Sequence, residues 1–230
     1  MTRYTDYDAF AWIYNRYWGP YSAQRFLSVL ERRLLPLLPP RARILDLCCG
    51  TGQLAQALMQ RGYLVTGIDS SEEMIRFARM NAPDAEFLVE DARMFRLPAV
   101  YHAVISTYDS LNHIMSEAEL AQVFRNVWAC LQPGGWFLFD LNMEEGYQVR
   151  WRGSFGIVEE DHVVVIRASF DKEAKVGQTI VTFFRLEEGR WRRQDVVLRQ
   201  RCYPEAEIRS ILDAIGFQDI QTLDAQKGLG

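Results

Sequence analysis

Apolar and polar positions alternate along this chain with two different periods, and the change of period divides it. Between residues 4 and 35 the spacing is helical and the apolar positions are rich in aromatics: Tyr4, Tyr7, Phe10, Trp12, Tyr14, Tyr17, Trp18 and Tyr21. Gly19-Pro20 is expected to break that segment in two, and Pro36, Pro39 and Pro40 to end it. From Arg43 short apolar runs alternate with amphipathic stretches. Strands are expected at 43–47, 64–68, 86–89, 103–107 and 136–140, with helices at 53–61, 71–82 and 116–131. Ser116, with Glu119 three residues on, forms a capping-box pattern. Short apolar strands separated by helices imply parallel pairing, with both faces of the sheet covered.

Beyond Tyr147 the period falls to two. Residues 154–160, 162–170, 178–187 and 191–203 alternate apolar with polar, and turn-like breaks stand at 171–177 and 188–189. This is the signature of a half-exposed antiparallel sheet. Helical spacing returns at 204–215 and Gly216 is placed to stop it. Residues 217–223 are expected to add a sixth strand to the parallel sheet. The predicted fold class is α/β: a doubly wound, mostly parallel sheet with an N-terminal helical cap and an antiparallel insertion after strand five. Residues 1–146 and 203–230 then form the main domain, and 147–202 an insertion serving as substrate lid or dimer surface.

With 230 residues there is room for one α/β domain carrying such an insertion. A net charge of −4 argues against a nucleic-acid partner, which needs clustered positive charge. The only lysines are Lys172, Lys175 and Lys227, outside the half that carries the motifs, which disfavours Schiff-base chemistry. Cys48, Cys49, Cys130 and Cys202 form no C-x-x-C pair, so neither a metal site nor a disulfide framework is indicated. No apolar run reaches membrane-spanning length, and a cytoplasmic location is expected.

The chemistry concentrates at Ile44-Leu45-Asp46-Leu47-Cys48-Cys49-Gly50-Thr51-Gly52. An apolar strand enters a glycine-bearing turn and then a helix whose first N–H groups are free, so a ligand can approach the backbone closely. The spacing Gly50-x-Gly52-x-x-Ala55, with Asp69 ending the second strand, also satisfies a dinucleotide-binding fingerprint, so a nicotinamide or flavin enzyme competes. Three features separate the two readings. Asp46 stands inside the end of strand one, where a carboxylate repels a pyrophosphate but suits an ammonium and a sulfonium. Glu90-Asp91-Ala92 follows strand three, where an acid can read an adenine amino group. Residues 131–135, Leu-Gln-Pro-Gly-Gly, form a turn before strand five.

As an ordered set these motifs resemble the class I S-adenosylmethionine-dependent methyltransferases, over roughly residues 40–145, a Rossmann-like family. Asp46 to Gly52 matches the first motif, Ile68-Asp69-Ser70-Ser71 with Met74 the second, and Asp91-Ala92 the third. The resemblance implies S-adenosylmethionine as cofactor, with its methionine part against Asp46, Cys48, Gly50 and Gly52. It implies the ribose on Asp69 beside Ser70, the adenine between Met74, Asp91 and Ala92, and Thr107 facing the cofactor. Tyr14 and Trp18 would form an aromatic lid over the sulfonium. Cys48 departs from the family, standing where a glycine is usual. The family sheet also commonly ends in a seventh, antiparallel strand; here the sequence stops at 227–230, so that strand is expected to be missing or the chain to be shortened.

Placement of the insertion and the aromatic cap is similar to small-molecule methyltransferases, including aminosugar N-methyltransferases. The acceptor is therefore expected to be a small molecule methylated on N, O or C. His113, with Tyr108 just past strand four, is the candidate catalytic pair; a histidine there can take a proton from an attacking hydroxyl or amine, or be structural. Arg190, Arg192, Arg193, Arg199 and Arg201 form either a solvated strand face or a clamp for an anionic acceptor. A homodimer through the insertion is the competing use of that sheet.

Overall fold

The computed structural model describes residues 6–224. The chain opens with α1 (Asp6–Ile13), a single π-helical turn (Tyr14–Trp18) and α2 (Gly19–Arg33). Gly19-Pro20 does not break this segment. Pro20 falls in the first turn of α2, where a missing N–H costs little, and the wider π turn before it absorbs the change of hydrogen bonding.

Next come β1 (Arg43–Leu47), α3 (Gln53–Met59), β2 (Leu64–Asp69), α4 (Glu72–Asn81), β3 (Glu86–Val89) and β4 (Tyr101–Ser106). A 3-10 turn (Ser110–His113), α5 (Glu117–Cys130) and β5 (Leu131–Phe139) complete the unit. The five strands form one parallel sheet in the order β3-β2-β1-β4-β5. Alternation along β1 sends Leu45 and Leu47 to the face covered by α5 and Ile44 to the face covered by α2, α3 and α4. Ser71 and Ser116 cap α4 and α5, accepting from the N–H groups of Met74 and Glu119.

A short helix, α6 (Glu144–Arg150), follows; the sequence pattern did not announce it. Then β6 (Ser154–Val158), β7 (His162–Asp171), β8 (Val176–Glu187) and β9 (Arg190–Arg201) form a separate antiparallel sheet in that order. α7 (Glu205–Ile215) ends at Gly216, whose φ of 112° is the left-handed stop expected there.

Two further expectations need correction. β5 starts at Leu131 rather than 136, so the Pro133-Gly134-Gly135 stretch lies inside the strand, where the register with β4 shifts between Tyr101 and Ala103. Residues 217–223 add no strand. Phe217 packs against Trp128 of α5 at 4.9 Å instead, while Arg209 binds the Ile220 carbonyl and Thr222. Tyr4 and residues 227–230 lie outside the described residues.

A third apolar cluster joins the cap to the antiparallel sheet: Phe10, Ala11 and Ile13 pack with Val164, Ile166, Val181, Phe183 and Val196, and with Met74 of α4. One side of the cap therefore closes on the second sheet, and the space beneath is the site. Among the described residues no helix is long and apolar enough to cross a membrane.

Candidate active site

A cavity of about 1080 Å³ opens at the carboxyl ends of the parallel strands, where β1 lies between β2 and β4 and the strand order reverses. The cap covers it from one side and Ile166, Val181 and Leu198 of the second sheet from another.

The turn after β1 is built for close approach. Cys48 (φ 59°), Gly50 (φ 54°) and Gly52 (φ 80°) are all left-handed. A Cβ on Gly50 would come within 3.1 Å of the Tyr14 ring, and one on Gly52 within 2.9 Å of Ala78 Cα. Cys48 adopts with a side chain the conformation that glycine adopts freely, a strained arrangement of the kind found at functional turns. Burial pushes its thiol and that of Cys49 well up, so neither is poised as a nucleophile.

Asp69 ends β2 and receives the Gly50 N–H on Oδ2 and the Ser71 N–H on Oδ1, each at 3.0 Å. These bonds aim its carboxylate into the cavity and leave one lone pair on each oxygen for a diol. Of the residues singled out in the sequence, Tyr14, Trp18, Cys48, Gly50, Asp69, Ser70, Met74, Asp91, Ala92, Tyr108 and His113 all line the cavity.

Asp46, Gly52 and Thr107 do not line it. Asp46 lies one layer behind the turn, 2% exposed, with its Oδ2 buried and unpartnered. Gly52 serves the packing of α3 on α4. Thr107 loses its expected place because the chain reverses through Tyr108 (φ 64°) and Asp109 (φ 51°), which bring the next two side chains to the cavity. Asp91 lines the cavity but its carboxylate is held by Arg93, which also binds Glu119.

The β4–β5 side holds a polar network that sequence spacing did not reveal. Asp140, after β5, accepts the Asp109 N–H at 3.0 Å. Asp109 Oδ2 accepts from Asn142 at 2.7 Å and from Gln200 of β9. Gln200 accepts from Tyr147, and Arg150 donates to Asn142. His113 Nδ1 lies 2.8 Å from the Arg199 carbonyl, which can only accept, so that nitrogen carries the proton. Nε2 then accepts from Tyr7 at 2.7 Å and faces Gln200 at 3.1 Å. Burial, only partly offset by that carbonyl, lowers His113 to about 4.

Four carboxyls at or just behind this lining, Asp69, Asp109, Asp140 and Asp46, are held above their ordinary values. Burial raises all of them, Asp69 and Asp109 to about 6, Asp46 to about 7 and Asp140 to about 8. Neighbouring carboxylates raise Asp46 and Asp140 further, and backbone N–H groups draw Asp69 back down. Such a site favours a positive ligand. The chemistry of this lining is compatible with S-adenosylmethionine, which carries a sulfonium, an ammonium and a ribose diol.

Residues 44–135 match the family model described as a methyltransferase domain. A Bacillus subtilis protein assigned as a methyltransferase, YqeM, is 29% identical over 217 residues, covering 92% of this chain and 86% of that one. A solved S-adenosylmethionine-dependent methyltransferase from Clostridium acetobutylicum superposes with a TM-score of 0.76 at 22% identity, covering 92% of this chain and 87% of that chain. The amino pentose methyltransferase CalS10 from Micromonospora echinaspora, solved with S-adenosylmethionine bound, gives a TM-score of 0.68 at 23% identity over 93% and 89% of the two chains. Residues 44–135 thus match a methyltransferase domain, and over the rest of the chain the likeness to the solved methyltransferases is one of fold.

Proposed function

We propose that the methyl acceptor is a small molecule bound on the β4–β5 side of the cavity, beneath the antiparallel sheet, and that cofactor and acceptor divide the cavity at β1. The single observation carrying this reading is the division of the lining. The β1–β3 ends present the turn, Asp69, Met74 and Ala92, while the β4–β5 ends present Tyr108, Asp109, His113 and Asp140.

Bound S-adenosylmethionine supplies a methyl group on a sulfonium. The Cys48–Gly50 backbone holds the methionine part, with Asp46 behind it contributing charge rather than contact. Asp69 takes the ribose hydroxyls beside Ser70. Met74 and Ala92 flank the adenine, whose edge faces Asp91, and Tyr14 and Trp18 close over the sulfonium. Catalysis of this kind is mostly the positioning of two reactants in a space from which water is excluded. Neutral His113 offers Nε2 as a hydrogen-bond acceptor in exchange for Tyr7, and Tyr108 supplies an aromatic wall. The shared fold with CalS10, an amino pentose methyltransferase, favours a nitrogen among possible nucleophiles. Four unpaired cysteines support a reducing, cytoplasmic setting, and the net charge of −4 disfavours nucleic acid as acceptor.

Calorimetric titration with S-adenosylhomocysteine and with NAD tests the cofactor half, and release of S-adenosylhomocysteine from an acceptor panel tests the other. The expected result is tight binding of the first ligand and no heat from the second. Binding of NAD alone would return the β1 turn to its competing dinucleotide reading.

A further inference from the structure

Resting on the division of the cavity just described, we propose that Asp109 recognises the acceptor: its Oδ1 seats the acceptor's amino group and takes the proton from it before methyl transfer.

The placement of Asp109 is unusual. It and Tyr108 are successive non-glycine residues in the left-handed region, an arrangement that persists only when its surroundings enforce it. Here the Asp109 N–H is held by Asp140, and Oδ2 is pinned by Asn142 at 2.7 Å and by Gln200. Oδ1 takes no hydrogen bond from any described residue and is not among the sealed, unpartnered oxygens. Asp109 lines the cavity. One oxygen is thus fixed by the protein and the other is left for a ligand.

The charges facing Asp109 indicate what that ligand carries. Asp140 approaches from β5, Tyr7 from α1, Tyr14 from the π turn, and Tyr147 and Arg150 from α6, with Tyr108 beside it and His113 reached through Gln200. Among these only Arg150 is a permanent cation, set against Asp109 and, once its long-held proton is lost, Asp140. A protonated amine restores the balance, whereas a neutral hydroxyl leaves it unmet.

His113 is the poorer destination for the proton. Its Nδ1 is committed to the Arg199 carbonyl and its Nε2 already accepts from Tyr7. Burial pulls His113 down to about 4 and pushes Asp109 up to about 6, which makes the carboxylate the stronger base. The proton passes from the ammonium nitrogen to Oδ1, and the nitrogen keeps the electron pair. That pair forms the bond to the methyl carbon while the carbon–sulfur bond breaks, its electrons going to sulfur. The sulfonium becomes a thioether, the methylated nitrogen carries the positive charge, and Asp109 returns its proton to water at the open side of the cavity.

Asp109→Asn is the informative variant, because asparagine keeps the shape and tolerates the left-handed backbone. The probes are amino sugars and their parent hydroxyl sugars, assayed by release of S-adenosylhomocysteine, with calorimetry of S-adenosylhomocysteine binding alongside. The parent protein is expected to turn over an amine and not its hydroxyl counterpart. In Asp109→Asn, kcat/KM for that amine should fall about 100-fold or more, and the acid limb of the pH–rate profile should disappear, with affinity for S-adenosylhomocysteine kept within about twofold. Preference for hydroxyl acceptors, or a variant with parental turnover and an unchanged acid limb, overturns the assignment. A parent protein that binds no S-adenosylhomocysteine overturns the underlying reading of the cavity, and this one with it.

Discussion

In the proposed division of the cavity, Asp69 is the side chain on which cofactor binding would depend most directly. Both of its oxygens already receive backbone N–H groups, so its orientation is set before any ligand arrives. Asp69→Ala should weaken S-adenosylhomocysteine binding about 10- to 100-fold by removing charge-assisted hydrogen bonds, while the protein stays folded. Calorimetry with unchanged affinity would take Asp69 out of the site, and a large fall in melting temperature would make it structural. Residues of this kind were legible in the sequence because the turn, the acid ending β2 and Met74 are local features with fixed spacing. Asp109, Asn142, Arg150 and Gln200 were not legible. Gln200 meets Asp109 across 91 positions, and only the docking of β9 on the end of β4 brings them together. Even so, the Tyr108-Asp109 reversal left a trace in the sequence, a polar cluster immediately after a strand.

At the scale of elements, the alternation of the antiparallel sheet left two readings open, a roof over the cavity and a surface for a second copy. The inner side chains Ile166, Val181 and Leu198 face the cavity, and so do Trp151 and Phe155 at its edge. Arg192 and Arg193 are instead engaged by Glu187 and Asp195 on the exposed surface, and Arg190 is absent from the lining. Of the arginines weighed as a clamp, Arg199 lines the cavity and Arg201 binds Glu207. Phe155→Ala should therefore raise the acceptor KM severalfold and leave cofactor affinity unchanged, whereas Arg192→Ala should change neither. Sedimentation of both variants separates this from an assembly role. A Phe155→Ala protein that becomes monomeric yet methylates normally would make the sheet a surface for a second copy. The misread strand at 217–223 has a similar origin: alternation records one buried face but not whether a strand or a helix covers it, and here Trp128 of α5 does.

For the whole molecule, the buried acids make stability depend on pH. Each carboxyl held above its ordinary value keeps its proton longer when folded, so its contribution is complete below pH 4 and is lost as pH rises through the folded value. His113 acts oppositely, its contribution being present above 6.5 and lost as pH falls towards about 4. Above 6.5 the acids act alone, chiefly Asp46 near 7 and Asp140 near 8. The ligand-free protein should lose about 3 kcal/mol between pH 6.5 and 8.5, a fall of roughly 6–12 °C in melting temperature. Asp140→Asn should flatten that slope, and S-adenosylmethionine should stabilise more at the alkaline end, where the acids it meets are charged. A melting temperature constant over this range would mean that these carboxyls are ionised throughout.

The cap has a further consequence during synthesis. Tyr17 bonds His162 across 145 positions and Tyr7 bonds His113 across 106. The cap leaves the ribosome well before the strands that bury Phe10 and Ile13, which lie more than a hundred residues further on. Through most of translation an aromatic helix waits beside a nearly finished parallel sheet with its own partner still unmade. Such a chain exposes sticky surface to its neighbours for as long as the ribosome takes to reach β9, and a folding helper that shields the first thirty residues would serve it most at that stage.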